Sequence, residues 1–204
     1  MPRSARQSAQ TLAALAHEQG GYFTTKQAKE AGYGYNHLDY HETAGNFERV
    51  DHGLYRIPAV PRDEHDELIR LSLWSRNQKD EPQAVVSHDS ALVLHEMTDL
   101  LPDRIHLTVP RTFRKPTPTG CVLHKAVIAE GDVEERTGFR VTSPFRTLLD
   151  SAQSEVSQEE LEKAVANALT RGLVRRTKLS QAVEQNPRLS RLKAALGRIK
   201  ANTK

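Results

Sequence analysis

The chain has 204 residues, 37% hydrophobic and 27% charged, with a net charge of +3; that is enough apolar material for a folded core of one or two domains, with no run long enough to span a bilayer. A single cysteine, Cys121, excludes an internal disulfide and a cysteine zinc cluster, and is read as a buried strand residue. MPRSARQSAQ at the start lacks the apolar centre of a secretory signal, so a cytoplasmic protein without a membrane partner is expected.

Ser8 to Gln19 reads as a first helix, with Leu12, Leu15 and Ala16 on one face and Gly20-Gly21 ending it. Tyr22 and Phe23 supply apolar groups ahead of a second helix. Thr24 and Gln27 have the spacing of a capping box, in which a hydroxyl and an amide satisfy the free amides of a helix start. Ala28 and Ala31 give that helix small apolar contacts, and Gly32 can close it in a left-handed conformation. A third helix, about Tyr35 to Ala44, buries Leu38. It exposes Asn36, His37, Asp39, Tyr40 and His41, side chains that donate and accept hydrogen bonds. Phe47 to Asp51 and Leu54 to Ile57 read as two strands around His52-Gly53, a plausible hairpin turn. Helix, turn, helix and hairpin in this order is a winged helix-turn-helix, here read as DNA-binding; the alternatives are a winged helix used for protein contacts, or plain packing. Pro58 and Pro61 form a short stiff linker, so the first domain is expected to cover residues 1–61 and the second 62–204.

Arg62 to Asn77 reads as a helix carrying Leu68, Leu71 and Trp74, with Asp63, Glu64, Asp66 and Glu67 in its first turns, where the helix dipole favours them. After the short apolar run Ala84 to Val86, Ser87 caps a helix carrying Ala91, Leu92, Leu94 and His95. His88 and His95, with Asp89 and Glu96, would share a face, but no third ligand stands at a supporting spacing, so no metal is assigned. Ile105 to Val109 and Cys121 to Val127 alternate as half-buried strands do, and residues 110–120 between them form a loop with three prolines and three basic residues. Arg136 to Thr142, around Gly138, is a third strand or hairpin. Ser143-Pro144 is a sharp helix start, with Phe145, Leu148, Leu149 and Ala152 as its buried stripe. Ser157 to Glu160 is a second capping box, opening a helix through Leu161, Val165, Ala168 and Leu169. Thr177 caps a short helix that Asn186-Pro187 stops, and the rest, to Lys204, is a helical basic tail. The fold class expected is α+β: a winged helix-turn-helix followed by a mixed α/β domain with a basic helical C-terminus.

Charge is unevenly placed. Residues 1–60 carry six basic and six acidic side chains, residues 61–110 five and ten, and residues 111–204 eighteen and ten; from Arg171 onward ten basic residues stand against Glu184 alone. A strong phosphate-attracting field would therefore sit at the far end of the chain, and the neutral winged helix must depend on placed contacts.

The winged helix followed by SHDSALVLHEM, LPDRIHLTVP, the basic proline-bearing loop, CVLHKA and GFRVTSPFRTLLDSA resembles the AbiE-type (AbiEi family) antitoxins of bacterial type IV toxin–antitoxin systems, over about residues 8–170. VTSPFRTLLD, SHDSAL and HLTVP are the more specific elements; the winged helix alone is shared by many repressors. The resemblance implies a protein that represses its own operon by binding promoter repeats in double-stranded DNA. It also implies one that counters a nucleotidyltransferase-like toxin without forming a stable complex with it. The residues expected to carry DNA binding are Asn36, His37, Tyr40 and His41 in the major groove, with Tyr35 beside them. Thr25, Lys26 and Lys29 are expected on phosphate, together with Arg49, His52 and Arg56 from the wing.

An enzyme is not expected, and neither is a cofactor. A restriction-like nuclease needs an acid ahead of the lysine on its second metal-binding strand, where VLHK places Leu123 before Lys125. Ser87-His88-Asp89 resembles a triad fragment, but consecutive residues do not converge on one reacting centre. No P-loop, dinucleotide glycine pattern or HExxH occurs. The alternative function is a ligand-sensing winged-helix repressor whose second domain binds an anion through Arg111, Arg114, Lys115, Arg140 and Arg146.

Overall fold

The computed structural model describes residues 4–62 and 64–201, without the side chains of residues 200 and 201. Asp63, read in a helix first turn, and Lys204, the end of the basic tail, lie outside the described residues. The chain divides into two compact units: one running to Ala84 and including Arg136–Phe139, the other formed by Val85–Glu135 and the residues from Arg140 onward. The end of the first domain expected at residue 61 thus lies inside the first unit.

In the first unit, α1 (Ala5–Glu18) starts on Ser4, whose hydroxyl accepts from the Gln7 amide, and buries Leu12 and Ala16. β1 (Tyr22–Thr24) leads into α2 (Thr25–Ala31), α3 (Tyr35–Thr43) and the hairpin of β2 (Glu48–Asp51) and β3 (Leu54–Arg56). The three strands form an antiparallel sheet in the order β1-β3-β2. β1 is an addition to the sequence expectation. Its three residues are all buried, so no alternation marks them as a strand. The core is Leu12, Ala16, Phe23, Ala28, Ala31, Leu38, Phe47 and Tyr55. Phe23 meets Phe47 edge-on at 4.9 Å and stacks on Tyr55 at 5.7 Å, which joins the helices to the sheet.

The helix expected over Arg62 to Asn77 is shorter, α4 (Asp66–Trp74), and buries Ile69, Leu71, Ser72 and Leu73 rather than Leu68 and Trp74. Just past its end Ser75 is fully buried, and its hydroxyl donates to the Ser72 carbonyl and accepts from the amides of Gln83 and Ala84.

The second unit is built on a mixed sheet of β4 (Val85–Val86), β5 (Ile105–Val109), β6 (Cys121–Lys125), β7 (Val133–Arg136) and β8 (Phe139–Thr142), in the order β6-β5-β4-β8-β7, with Arg136 and Phe139 at the β7–β8 turn counted in the first unit. β4 runs antiparallel to β5 and parallel to β8, and β5 runs parallel to β6. Cys121 is buried. The helices are α5 (His88–Leu94), α6 (Pro144–Ser151), α7 (Gln158–Thr170), α8 (Arg176–Gln185) and α9 (Ser190–Ala201). Ser143 caps α6 by accepting from the Arg146 amide, with Pro144 in the first turn, and Ser157 caps α7 by accepting from Glu160. The Glu160 carboxylate accepts instead from Thr98 and Lys163, so the second capping box is half made. α8 starts one residue before the predicted cap Thr177, and Arg175 at its N-cap makes no side-chain cap bond.

The basic C-terminus is not a tail. Leu189, Leu192, Ala195 and Leu196 are buried in one cluster with Leu161, Val165 and Leu179. Its arginines close backbone carbonyls: Arg191 donates to Ser154 and Val156, Arg176 to Leu196, and Arg171 to His95 and Glu96. No helix among the described residues is long and apolar enough to cross a membrane.

Candidate nucleic-acid interface

The capping box at the start of α2 is complete: the Gln27 amide donates to the Thr24 hydroxyl at 3.2 Å, and the Thr24 amide donates to Gln27 Oε1 at 2.8 Å. Gly32 ends α2 at φ +103°, and a Cβ there would come within 2.6 Å of the Ser8 hydroxyl, so the turn runs tight against α1 and only glycine fits.

α3 is held by buried Leu38. Asn36, Asp39, Tyr40 and Thr43 recur at i, i+3, i+4 and i+7, the stripe of one helix face, and all four are exposed; Tyr40 is 68% accessible. Asp39, expected to be exposed but given no part in binding, and Thr43, not singled out in the sequence, therefore join Asn36 and Tyr40 on the outer face. The signal for Thr43 is the i+7 step, one turn beyond the polar cluster of Asn36 to His41.

The other predicted residues sit to the sides. His41 is half-buried, its ring 4.8 Å from Phe47, 5.5 Å from Tyr33 and 5.3 Å from Tyr40, with its Nδ1 3.2 Å from Asn46 Nδ2. It belongs as much to the packing of α3 as to its surface. His37 is exposed and edge-on to Tyr33 at 6.4 Å. Tyr35 is 63% exposed, and its hydroxyl is 2.5 Å from Lys29 Nζ, which holds that lysine at the start of α3. Lys26 is exposed. The Thr25 amide donates to the Gly53 carbonyl at 2.9 Å, tying the start of α2 to the wing tip. Arg49 and His52 are exposed on the wing, where the register slips between Arg49 and Asp51.

Arg56 is a correction. It is 3% exposed, donates to the Val60 carbonyl and faces Asp66 at 3.7 Å, so it is a buried structural cation and cannot meet phosphate. Strand position explains this: Leu54, Tyr55 and Arg56 are all buried, since β3 is the central strand of its sheet.

The second unit holds a histidine cluster that the sequence did not announce. His88 and His95 do not share a site: His95 Nε2 is bonded to the Thr142 carbonyl at 2.7 Å. His88 instead stacks on His124 at 3.6 Å, and His124 Nε2 lies 3.2 Å from His106 Nδ1. Burial, followed by the neighbouring histidines, pushes His88 down to about 3, and burial lowers His106 and His124 as well, so all three are neutral at pH 7. Among the described residues no group of three histidine, cysteine or acidic side chains is arranged to hold a metal ion. Ser87 is fully buried, accepts from the Thr108 hydroxyl and lies 2.9 Å from His88 Nδ1. Arg146, in the anion-binding alternative, is committed to Asp150 at 2.8 Å and Asp132 at 3.7 Å.

A winged helix of α1 to α3 and a three-stranded sheet, extended by α4 and followed by a mixed α/β unit, defines a winged-helix regulator carrying an additional domain. The chain belongs to the AbiEi antitoxin family: residues 84–197 match the AbiEi antitoxin C-terminal domain, and residues 10–58 match the description "Transcriptional regulator, AbiEi antitoxin". In fold it is similar to the crystal structure of the RV2827C protein from Mycobacterium tuberculosis, at 16% identity and a TM-score of 0.50, over 97% of this chain and 83% of that one. No curated protein matches the chain in sequence.

Proposed function

We propose that this antitoxin represses its own operon by binding promoter repeats through α3, and that in the cytoplasm it counters a nucleotidyltransferase-like toxin without forming a stable complex with it. The observation that carries the DNA-binding part is the exposed stripe of Asn36, Tyr40 and Thr43 on the helix that a winged helix-turn-helix presents to the major groove. Lys26, Lys29, Arg49 and His52 flank it on α2 and the wing, where phosphates run. Asn36 suits the N6/N7 edge of adenine. With three lysine or arginine contacts, the logarithm of affinity should fall with the logarithm of salt at a slope of about −3, shallow for a DNA-binding protein.

The test is a gel shift on the gene's own upstream region. Removing Asn36 and Tyr40 together should weaken binding at least tenfold while the protein stays folded; unchanged affinity would remove α3 from the interface. Toxin neutralisation is tested by co-expression with an adjacent nucleotidyltransferase-like gene. Restored growth without co-purification is expected, and continued growth arrest would refute that half of the proposal.

A further inference from the structure

α3 has an unexpected charge for a helix that reads DNA. Its nine residues include no lysine or arginine and two carboxylates, Asp39 and Glu42. Asp39 stands on the outer stripe between Asn36 and Thr43, and it has no hydrogen-bond or ion-pair partner among the described residues. Glu42 has no such partner either but lies off that stripe, whereas the carboxylates of the wing and of the next helix are paired: Asp51 faces Arg70, Glu48 faces Arg62 and Asp66 faces Arg56. An unpaired negative charge therefore points where a polyanion would approach.

Such a charge lowers affinity for any duplex unless it receives a proton donor. An ionised carboxylate only accepts hydrogen bonds. On the major-groove floor the donors are the amino groups of cytosine N4 and adenine N6, while guanine and thymine offer acceptors. Adenine carries its N7 acceptor beside the amine, which repels the second carboxylate oxygen; cytosine N4 has no acceptor beside it on that base. We propose that Asp39 is a specificity-determining residue that requires a cytosine amino group at one base position of each half-site. This rests on the DNA-binding reading above. In this arrangement the lysines of α2 and the wing supply attraction to any sequence, and Asp39 rejects the sequences that do not match.

The experiment measures binding of the wild-type protein, Asp39→Asn, Asp39→Ala and Glu42→Gln to the operator and to all its single-base variants. Asp39 is exposed and unpaired, so both substitutions should leave the melting temperature unchanged. Wild type should lose about 5- to 150-fold in affinity when one particular cytosine is replaced, the range expected for a single base contact. Asp39→Ala should flatten that one position to within about twofold. It should also bind unrelated duplex more tightly than wild type, while Glu42→Gln keeps every preference. If the Asp39 variants keep the full wild-type pattern, or the position they relax is an A·T pair, which offers no cytosine on either strand, the proposal is overturned although the protein binds DNA. If wild type binds no duplex at all, the DNA-binding reading falls, and this inference falls with it.

Discussion

Lowering the pH should unfold the second unit through its histidines. His88, packed on His124 and beside His106, is held down at about 3 by burial first, and then by His124, His106 and Arg146. The unfolded chain takes up that proton near pH 6.5. Between the two values the unfolded state binds one more proton than the native state, so stability is full above pH 6.5 and declines as pH falls toward 3. The slope for one proton is about 1.4 kcal/mol per pH unit, or roughly 3 kcal/mol lost by pH 4 from His88 alone. His106 and His124, lowered chiefly by burial, act in the same direction, although Asp89 opposes part of the effect on each. Asp150 acts the other way, because burial raises its carboxyl, so below that raised value the native state holds a proton the unfolded chain has released. Against a typical stability of about 5–15 kcal/mol the loss is large. Urea denaturation followed by far-UV circular dichroism at pH 7, 6 and 5 should show a midpoint that drops with acid. His88→Asn, which suits the left-handed φ of +52° at this position, should flatten the dependence by about one proton. Parallel curves for the two proteins would show that His88 is not held neutral, and the reasoning from its burial would be wrong.

Replacing buried Leu192 with alanine should cost about 2–5 kcal/mol of second-unit stability in a denaturant melt, whereas exposed Lys193→Ala should cost under about 0.5 kcal/mol. Thr24→Ala removes the hydroxyl half of the α2 capping box and should cost the first unit about 1 kcal/mol by thermal melt. Arg56→Ala removes the buried one of the two arginines that face half-buried Asp66, together with the bond to the Val60 carbonyl, and should destabilise the first unit by about 1.5–3 kcal/mol, while Arg49→Ala should leave the melting temperature unchanged and weaken DNA binding.

The helices of the first unit were legible because their ends carry local chemistry. Thr24, Gln27 and Gly32 mark α2 whatever surrounds it, and the hairpin was legible at Gly53. What the sequence concealed depends on distant partners. Arg56 reads like any wing cation until β1 pairs beside it and makes β3 the central strand. His106 and His124 each occupy an ordinary polar position of an alternating strand, and only the parallel pairing of β5 with β6, in which Thr108 faces His124, brings them together. The ten basic residues from Arg171 onward suggest an electrostatic surface, yet Arg171, Arg176 and Arg191 spend their donors on carbonyls within the fold. Net charge does not distinguish a cation presented to a partner from one used to close a helix end.

The position of α9 also bears on the order in which the protein becomes competent. Leu92 and Leu192 belong to the same core although about 100 residues separate them, whereas the buried residues of the winged-helix cluster all lie between Leu12 and Tyr55. At a synthesis rate of roughly 5–20 residues per second, the ribosome adds that span in about 5–20 seconds, and throughout it the apolar side of the second unit lacks its last helix. The winged helix can close its core long before then. A copy cut ahead of Ser190 keeps the winged-helix core intact and loses Leu192, Ala195 and Leu196 from the other core, so trimming from this end would separate what depends on the first unit from what depends on the second.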